Sequence, residues 1–146
     1  EGIVQIFAEA GFLVRAIDQD PKILDRGLAQ IEANLQTAEE HNILTDNPKT
    51  ALSRIECFAL ENLDVALADV QMIVETVPEI LSVKQEVFNR IDALSPEILF
   101  ASNTSSFTVS EFTKDMKSPE RVVGMHYFNP AHLIPAVEIH KTFLNP

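Results

Sequence analysis

Apolar residues along this chain occur in short continuous runs, separated by stretches in which they recur every three or four positions. Runs of this length are typical of strands that are buried on both faces. The clearest runs lie at residues 98–101 and 122–125, and the predicted strands lie near 13–17, 55–58, 72–75, 98–101 and 122–126. The alternation of such strands with helical segments predicts an α/β fold with a doubly wound, mostly parallel sheet.

The helical periodicity is clearest between the first two predicted strands. Asp20 is a good N-cap and Pro21 suits the first helical position, so a helix is expected to begin there and to run to about Glu40. Asn47 followed by proline predicts the start of a shorter helix that extends through Leu52. Together they predict a helical hairpin inserted before the second strand.

Other helix boundaries are indicated by capping residues. The segment before the first strand is predicted to be a helix that Gly11 ends. Ser82 with Gln85, and Thr108 with Glu111, each have the spacing of a capping box, in which the two side chains bond to each other's backbone N–H groups. Two further helices are therefore predicted to begin at these positions.

Composition and charge narrow the class of protein. The 146 residues are 46% apolar and 23% charged, as expected for one globular domain. The net charge of −11 argues against a nucleic-acid or anionic-membrane partner. No apolar run approaches the roughly 20 residues that span a bilayer. Cys57 is the only cysteine, so no internal disulfide is expected.

Polar side chains follow the last two predicted parallel strands. Asn103 and Ser105 come after the fourth strand, while His126 ends the fifth and Asn129 follows it. Ligands of open α/β sheets bind beyond the carboxyl ends of the strands, where these residues are expected. Glu138 lies twelve positions after His126, and a histidine oriented by a carboxylate can act as a general base.

Asp18 has a corresponding position at the end of the first predicted strand. An acidic residue there can hydrogen-bond the ribose of a dinucleotide and disfavour a 2′-phosphate, which predicts NAD rather than NADP. The alternative is that Asp18 only caps the turn into the following helix.

A hydrolase is a weaker interpretation of the same residues. Ser105 and His126 resemble a nucleophile and its base, but the chain has no G-x-S-x-G sequence and the β/α alternation continues past both residues. His and Cys also lack the spacing of metal ligands, so no metal site is predicted.

Several motifs resemble the NAD-binding domain of the 3-hydroxyacyl-CoA dehydrogenases. They are the Ser-Asn-Thr-Ser-Ser run at 102–106, the Gly-Met-His-Tyr-Phe-Asn-Pro run at 124–130 and the Val-Glu-Ile run at 137–139. The likeness extends to residues 1–18 and 74–88. It implies a Rossmann-like fold whose first strand and G-x-G-x-x-G loop would precede residue 1 and are therefore expected to be missing.

The resemblance also implies roles for individual residues. His126 would take the proton of a substrate 3-hydroxyl while the hydride passes to NAD, with Glu138 as the partner of the histidine and Ser105 in contact with substrate and cofactor. Glu79 and Lys84, which by themselves are typical of a solvated ion pair, would line the nicotinamide side. The cofactor-binding residues so implied are Asp18, Glu79, Lys84, Asn103, Ser105 and Asn129.

By the same resemblance, residues 1–146 are expected to form a single, truncated dinucleotide-binding domain that lacks the family's C-terminal dimerisation and substrate domain. The implied activity is the NAD-dependent oxidation of a 3-hydroxyacyl-CoA in fatty-acid β-oxidation. The parent protein is expected to be a homodimer that binds a small-molecule substrate. Its expected location is intracellular, and cytoplasm, mitochondrion and peroxisome are all compatible with the sequence.

Two alternatives stay open. In the family the helical hairpin helps to hold CoA through basic side chains, whereas the long helix here ends in Glu39-Glu40-His41-Asn42. This favours a relative that acts on a non-CoA hydroxy acid, such as the lambda-crystallin and carnitine dehydrogenase types. The other alternative is an inactive dinucleotide-fold fragment that serves as a structural or interaction module. Without the first strand and glycine loop, the 146 residues alone are expected to bind NAD poorly.

Overall fold

The computed structural model describes residues 1–44, 47–95 and 97–141. These residues group into two compact units, which are described separately below. The first comprises Glu1–Ala66 and Asn129–Pro135, and the second comprises Leu67–Phe128 and the chain from Ala136 onward. The predicted single, truncated dinucleotide-binding domain at 1–146 stays a prediction.

The first unit combines a two-stranded parallel sheet with helices. Its elements are α1 (Gly2–Glu9), β1 (Val14–Asp18), α2 (Pro21–Glu40), α3 (Pro48–Leu52), β2 (Ile55–Ala59), a 3₁₀ turn (Leu60–Asn62) and α4 (Leu63–Ala66). β1 and β2 pair in parallel from Val14 opposite Ile55 to Asp18 opposite Ala59. The predicted helical hairpin between these strands is confirmed.

Local capping explains where the hairpin helices begin. The Asp20 carboxylate accepts the Lys22 N–H at 2.9 Å, and Pro21 occupies the first helical position of α2. Asn47 caps α3 in the same way through the Lys49 N–H. The two helices are held together by a buried apolar cluster of Ile31, Leu35 and Ala51.

The second unit contains the remaining strands in one sheet. Its elements are β3 (Met72–Glu75), α5 (Leu81–Leu94), β4 (Leu99–Ser102), α6 (Val109–Phe112), a 3₁₀ turn (Pro119–Arg121), β5 (Val122–Tyr127) and β6 (Val137–His140). The strand order is β3-β4-β5-β6; the first three are parallel, and β6 runs antiparallel to β5. The α/β class and the mostly parallel pairing are confirmed, with the strands divided between two sheets.

Three aromatic side chains form the centre of this second unit. The Phe88 ring stacks on Phe100 with 4.0 Å between centroids and packs against Phe112 at 4.7 Å. All three are almost fully buried. Because they come from α5, β4 and α6, this packing holds both helices against β4, from which the loop at 103–108 continues.

One predicted capping box is wrong and the other is confirmed. α5 begins at Leu81 rather than after Ser82, because its first turn closes on the Ile80 carbonyl, which accepts the N–H groups of Val83 and Lys84. At α6 the Glu111 carboxylate accepts the Thr108 N–H at 2.7 Å, as the second capping box predicts. No helix in the three described ranges has the length and apolar character needed to cross a membrane.

Candidate active site

His126 and Glu138 are directly opposite each other on neighbouring antiparallel strands, β5 and β6. Side chains at opposed positions of such a pair point to the same face of the sheet and lie close together. Accordingly His126 Nδ1 lies 3.0 Å from Glu138 Oε2. The proximity that the sequence predicts is confirmed, while the catalytic role of the pair stays a prediction.

The other ring nitrogen of His126 faces a hydroxyl group. Ser105 Oγ lies 3.1 Å from His126 Nε2. When Nδ1 carries a proton it donates to Glu138, and Nε2 then presents its lone pair to the hydroxyl. The three residues form a linear array in which a carboxylate orients an imidazole that can accept a proton from an alcohol.

The loop that carries Ser105 is attached to both neighbouring strands through Asn103. The Asn103 N–H donates to the Glu75 carbonyl at the end of β3, and its side-chain oxygen accepts the Tyr127 N–H of β5, both at 2.9 Å. Within the described ranges the Asn103 amide NH₂ donates no hydrogen bond. It is therefore available to a ligand acceptor beyond the end of β4.

One carboxylate oxygen of Glu79 binds residues 104–106, which follow Asn103 in the loop. Glu79 Oε1 accepts hydrogen bonds from the Thr104 hydroxyl, the Ser105 N–H at 3.1 Å and the Ser106 N–H at 2.9 Å. Partial burial raises the pKa of Glu79, but its hydrogen-bond donors and the charge of Lys84 outweigh this effect and lower the pKa to about 2. Glu79 is thus ionised at neutral pH.

Lys84 is completely buried between two carboxylates. Its ammonium lies 3.0 and 3.1 Å from the oxygens of Glu75 and 3.1 Å from Glu79 Oε2. Glu75 also accepts hydrogen bonds from the Ser102 hydroxyl at 2.6 Å and the Val77 N–H at 2.7 Å. The ion pair of Lys84 with Glu79 was expected from the sequence, but the expectation that it is solvated is wrong for Lys84.

Glu75 is a residue of the candidate site that the sequence analysis does not identify. It is the one charged residue of β3 and lies at the strand's carboxyl end, which is the available signal. Because all three donors of the Lys84 ammonium already face carboxylate oxygens, Lys84 acts in the structure as a buried counter-ion. Its predicted contact with a cofactor stays a prediction, as does that of Glu79.

The remaining predicted cofactor residues, Asp18 and Asn129, belong to the first unit. Asp18 ends β1, and its Oδ1 accepts the Asp20 N–H at 2.9 Å. Its second oxygen has no hydrogen-bond partner among the described residues, so it can accept from a ribose hydroxyl. Asn129 is exposed and precedes the cis peptide bond to Pro130. Taken separately, the Asp18 oxygen is an acceptor that fits a hydroxyl group of NAD, and the Asn103 NH₂ of the second unit is a donor that fits an acceptor group of NAD.

Parallel strands with polar groups at their carboxyl ends, and a histidine held by a carboxylate, define an α/β domain of the dinucleotide-binding class. Comparison with known proteins identifies the family within this class. The family described as "3-hydroxyacyl-CoA dehydrogenase, NAD binding domain" matches residues 1–143. The chain belongs to this family.

Individual relatives agree with this assignment. The chain is 37% identical over 143 residues to a probable 3-hydroxybutyryl-CoA dehydrogenase of Deinococcus radiodurans, covering 97% of the chain and 50% of that protein. It is 39% identical over 140 residues to the 3-hydroxybutyryl-CoA dehydrogenase of Bradyrhizobium diazoefficiens, covering 94% and 47%. The crystal structure of 3-hydroxybutyryl-CoA dehydrogenase from Escherichia coli K12 matches with a TM-score of 0.91 at 29% identity, covering 99% of the chain and 30% of that structure. The chain thus spans about half the length of the curated relatives it matches.

Proposed function

We propose that the full-length protein oxidises the 3-hydroxyl group of a 3-hydroxyacyl-CoA with NAD as the hydride acceptor. The observation that carries the proposal is the position of His126 between the Glu138 carboxylate and the Ser105 hydroxyl, at 3.0 and 3.1 Å. The family to which the chain belongs supplies the reaction class and the cofactor.

Each residue of the array has a distinct role in this proposal. His126 Nε2 accepts the proton of the substrate hydroxyl, and Ser105 holds that hydroxyl in register, together with Asn129 by resemblance. Glu138 stabilises the imidazolium that results. When bound, NAD supplies the redox chemistry.

The test is the oxidation of 3-hydroxybutyryl-CoA by the full-length protein, followed by the absorbance of NADH. Replacing His126 with Gln is expected to lower kcat by about 10²- to 10⁴-fold, the usual contribution of a general base. Glu86→Gln, on an exposed position of α5, is the control and should leave kcat unchanged. An active His126→Gln enzyme would disprove the role of the histidine.

Cofactor choice is tested at Asp18. Removing its carboxylate in Asp18→Ser should shift preference from NAD toward NADP by about 1–2 kcal/mol, the scale of one hydrogen bond, because the ribose contact and the repulsion of a 2′-phosphate are both lost. Binding of both cofactors to the full-length variant is measured by calorimetry. An unchanged ratio of affinities would mean that Asp18 only accepts the Asp20 N–H and does not contact ribose.

A second candidate substrate class is a hydroxy acid without CoA. The last turn of α2 has no basic residue, and His41 Nδ1 bonds to the Thr37 carbonyl at 2.8 Å. This end of the hairpin is a poor site for CoA phosphates. A comparison of kcat/KM for 3-hydroxybutyryl-CoA and free 3-hydroxybutyrate distinguishes the two classes.

The same family membership extends the proposal to the assembly and location of the parent protein. We expect a homodimer that acts inside the cell on intermediates of fatty-acid β-oxidation. Light scattering of the full-length protein tests the dimer, and a monomeric mass would exclude it.

A further inference from the structure

The Ser105 hydroxyl lies in a loop with no regular secondary structure. β4 ends at Ser102 and α6 begins only at Val109, so no strand or helix fixes the side chain of Ser105. Ser105 is also exposed and gains no support from core packing. Its 3.1 Å contact with His126 therefore depends on hydrogen bonds that hold the loop backbone.

Asn103 attaches the start of the loop to the neighbouring strands, and Glu79 provides the hydrogen bonds at Ser105 itself and at the residues on either side of it. One oxygen of its carboxylate accepts from three consecutive residues, 104–106, through one hydroxyl and two backbone N–H groups. Converging N–H groups of this kind form an anion-binding concavity, and hydrogen bonds to an ionised acceptor are the strong ones. In this loop the anion is a side chain of the protein itself.

The other oxygen of Glu79 is fixed from the interior. It lies 3.1 Å from the ammonium of Lys84, which has no exposed side-chain surface. Glu75 holds the same ammonium through both carboxylate oxygens and is itself bonded to the Ser102 hydroxyl of β4. A buried charge keeps its partners because separating them is costly, so the Glu79 carboxylate is anchored at both ends.

We propose that Glu79, anchored by the buried Lys84–Glu75 pair, is a positioning residue that keeps the Ser105 hydroxyl against His126. The inference rests on the proposed function. Glu79 then affects the reaction only through the position of Ser105. A residue that only contacted the cofactor would act independently of Ser105. A residue that only stabilised the fold would have no specific effect on the Ser105–His126 contact.

A double-mutant cycle in the full-length protein tests the coupling, with kcat and KM for 3-hydroxybutyryl-CoA and NAD. Glu79→Ala is expected to lower kcat about tenfold with KM for NAD nearly unchanged. In a Ser105→Ala background the same change should lower kcat less than about twofold, because residues that act as a unit are non-additive. Additive losses, or a loss confined to KM for NAD, would overturn the proposal.

The variants are chosen so that folding does not decide the outcome. Glu79→Ala leaves Lys84 paired with both oxygens of Glu75. Glu79→Gln retains a carbonyl oxygen that can accept from the loop and should recover part of kcat. The matched control is Glu111→Gln, since Glu111 also accepts a hydroxyl and a backbone N–H but from Thr108 at the start of α6. It should behave as wild type.

A second readout does not depend on the reaction. Amide hydrogen exchange at Ser105 and Ser106 should accelerate in Glu79→Ala and not in Glu111→Gln. In NMR spectra, Glu79→Ala should shift the His126 ring resonances in the same direction as Ser105→Ala does. Unchanged exchange or unshifted resonances would refute the positioning role. If the wild-type protein fails to oxidise 3-hydroxybutyryl-CoA, the proposed function falls while these two measurements still decide the role of Glu79.

Discussion

In the second unit, the pair of Lys84 with Glu75 and the pair of His126 with Glu138 differ chiefly in burial. Lys84 approaches Glu75 to 3.0 Å, and His126 approaches Glu138 to the same distance. The side chains of the first pair are 0% and 1% exposed, whereas those of the second are 24% and 52% exposed. Similar distances therefore occur in two very different environments.

Because the two pairs differ in burial, we expect one to contribute mainly to stability and the other mainly to chemistry. Separating two buried charges leaves each without solvation, so the Lys84–Glu75 pair is a permanent part of the structure. Solvent lowers the cost of separating His126 from Glu138, and histidine can change its charge near neutral pH. The buried pair is expected to determine stability, and the exposed pair to determine chemistry.

The largest effect is expected from breaking the buried pair. Lys84→Met leaves Glu75 as an unpaired buried carboxylate and should lower the free energy of unfolding by about 3–5 kcal/mol. Denaturant unfolding of the full-length protein measures it. Lys114 is exposed, and Lys114→Met should change stability by less than about 0.5 kcal/mol. Equal stability of the two variants would show that Lys84 is not needed to balance the charge of Glu75.

Changing the exposed pair is expected to have a smaller effect, which should appear in kcat and not in the free energy of unfolding. Glu138→Gln should lower kcat about 10- to 100-fold, below the full contribution of the base, because His126 loses only its orienting charge. The free energy of unfolding should change by less than about 1 kcal/mol. Steady-state kinetics and unfolding are measured on the same preparation, with Glu86→Gln as the control. A variant that loses stability and keeps its kcat would reverse the assignment of tasks.

The smallest effect is expected at Glu79, which contacts both Lys84 of the buried pair and the backbone of Ser105 beside the exposed pair. The side chain of Glu79 is 35% exposed. Its pKa falls from 4.5 to about 2 in the folded protein, so its ionised form stabilises the fold above about pH 4.5, and this contribution is lost as the pH falls toward 2. Wild type should therefore exceed Glu79→Gln in stability by about 1 kcal/mol or less at pH 7, and the difference should vanish near pH 2. A difference that is independent of pH would contradict the role of the charge.

The parallel strands could be predicted because each is a short, mainly apolar segment. β1 to β5 all lie within one residue of their predicted positions, as at Leu99–Ser102 against 98–101. β6 was not predicted as a strand, because all four of its residues are exposed and no buried face marks the pattern. The capping-box spacing of Ser82 predicts the start of α5 two residues too late, because the first turn forms on Ile80.

Within the candidate site, the sequence predicts the residues better than their surroundings. Motifs in the sequence indicate His126, Glu138 and Ser105. The fold brings Glu138 and Ser105 within hydrogen-bond distance of His126. The burial of Lys84 by Glu75 could not be predicted, since the two are nine positions apart on different elements and charged residues are usually exposed. Burial depends on the tertiary packing of β3, β4 and α5.

The contact between His126 and Glu138 depends on the register in which β5 and β6 pair. Side chains alternate between the faces of a strand, so a shift of β6 by one residue would turn Glu138 away from His126, and a shift by two would restore the face but displace the carboxylate by about 7 Å. For His126, a one-residue change in the register of β6 against β5 is therefore equivalent to removing the Glu138 carboxylate.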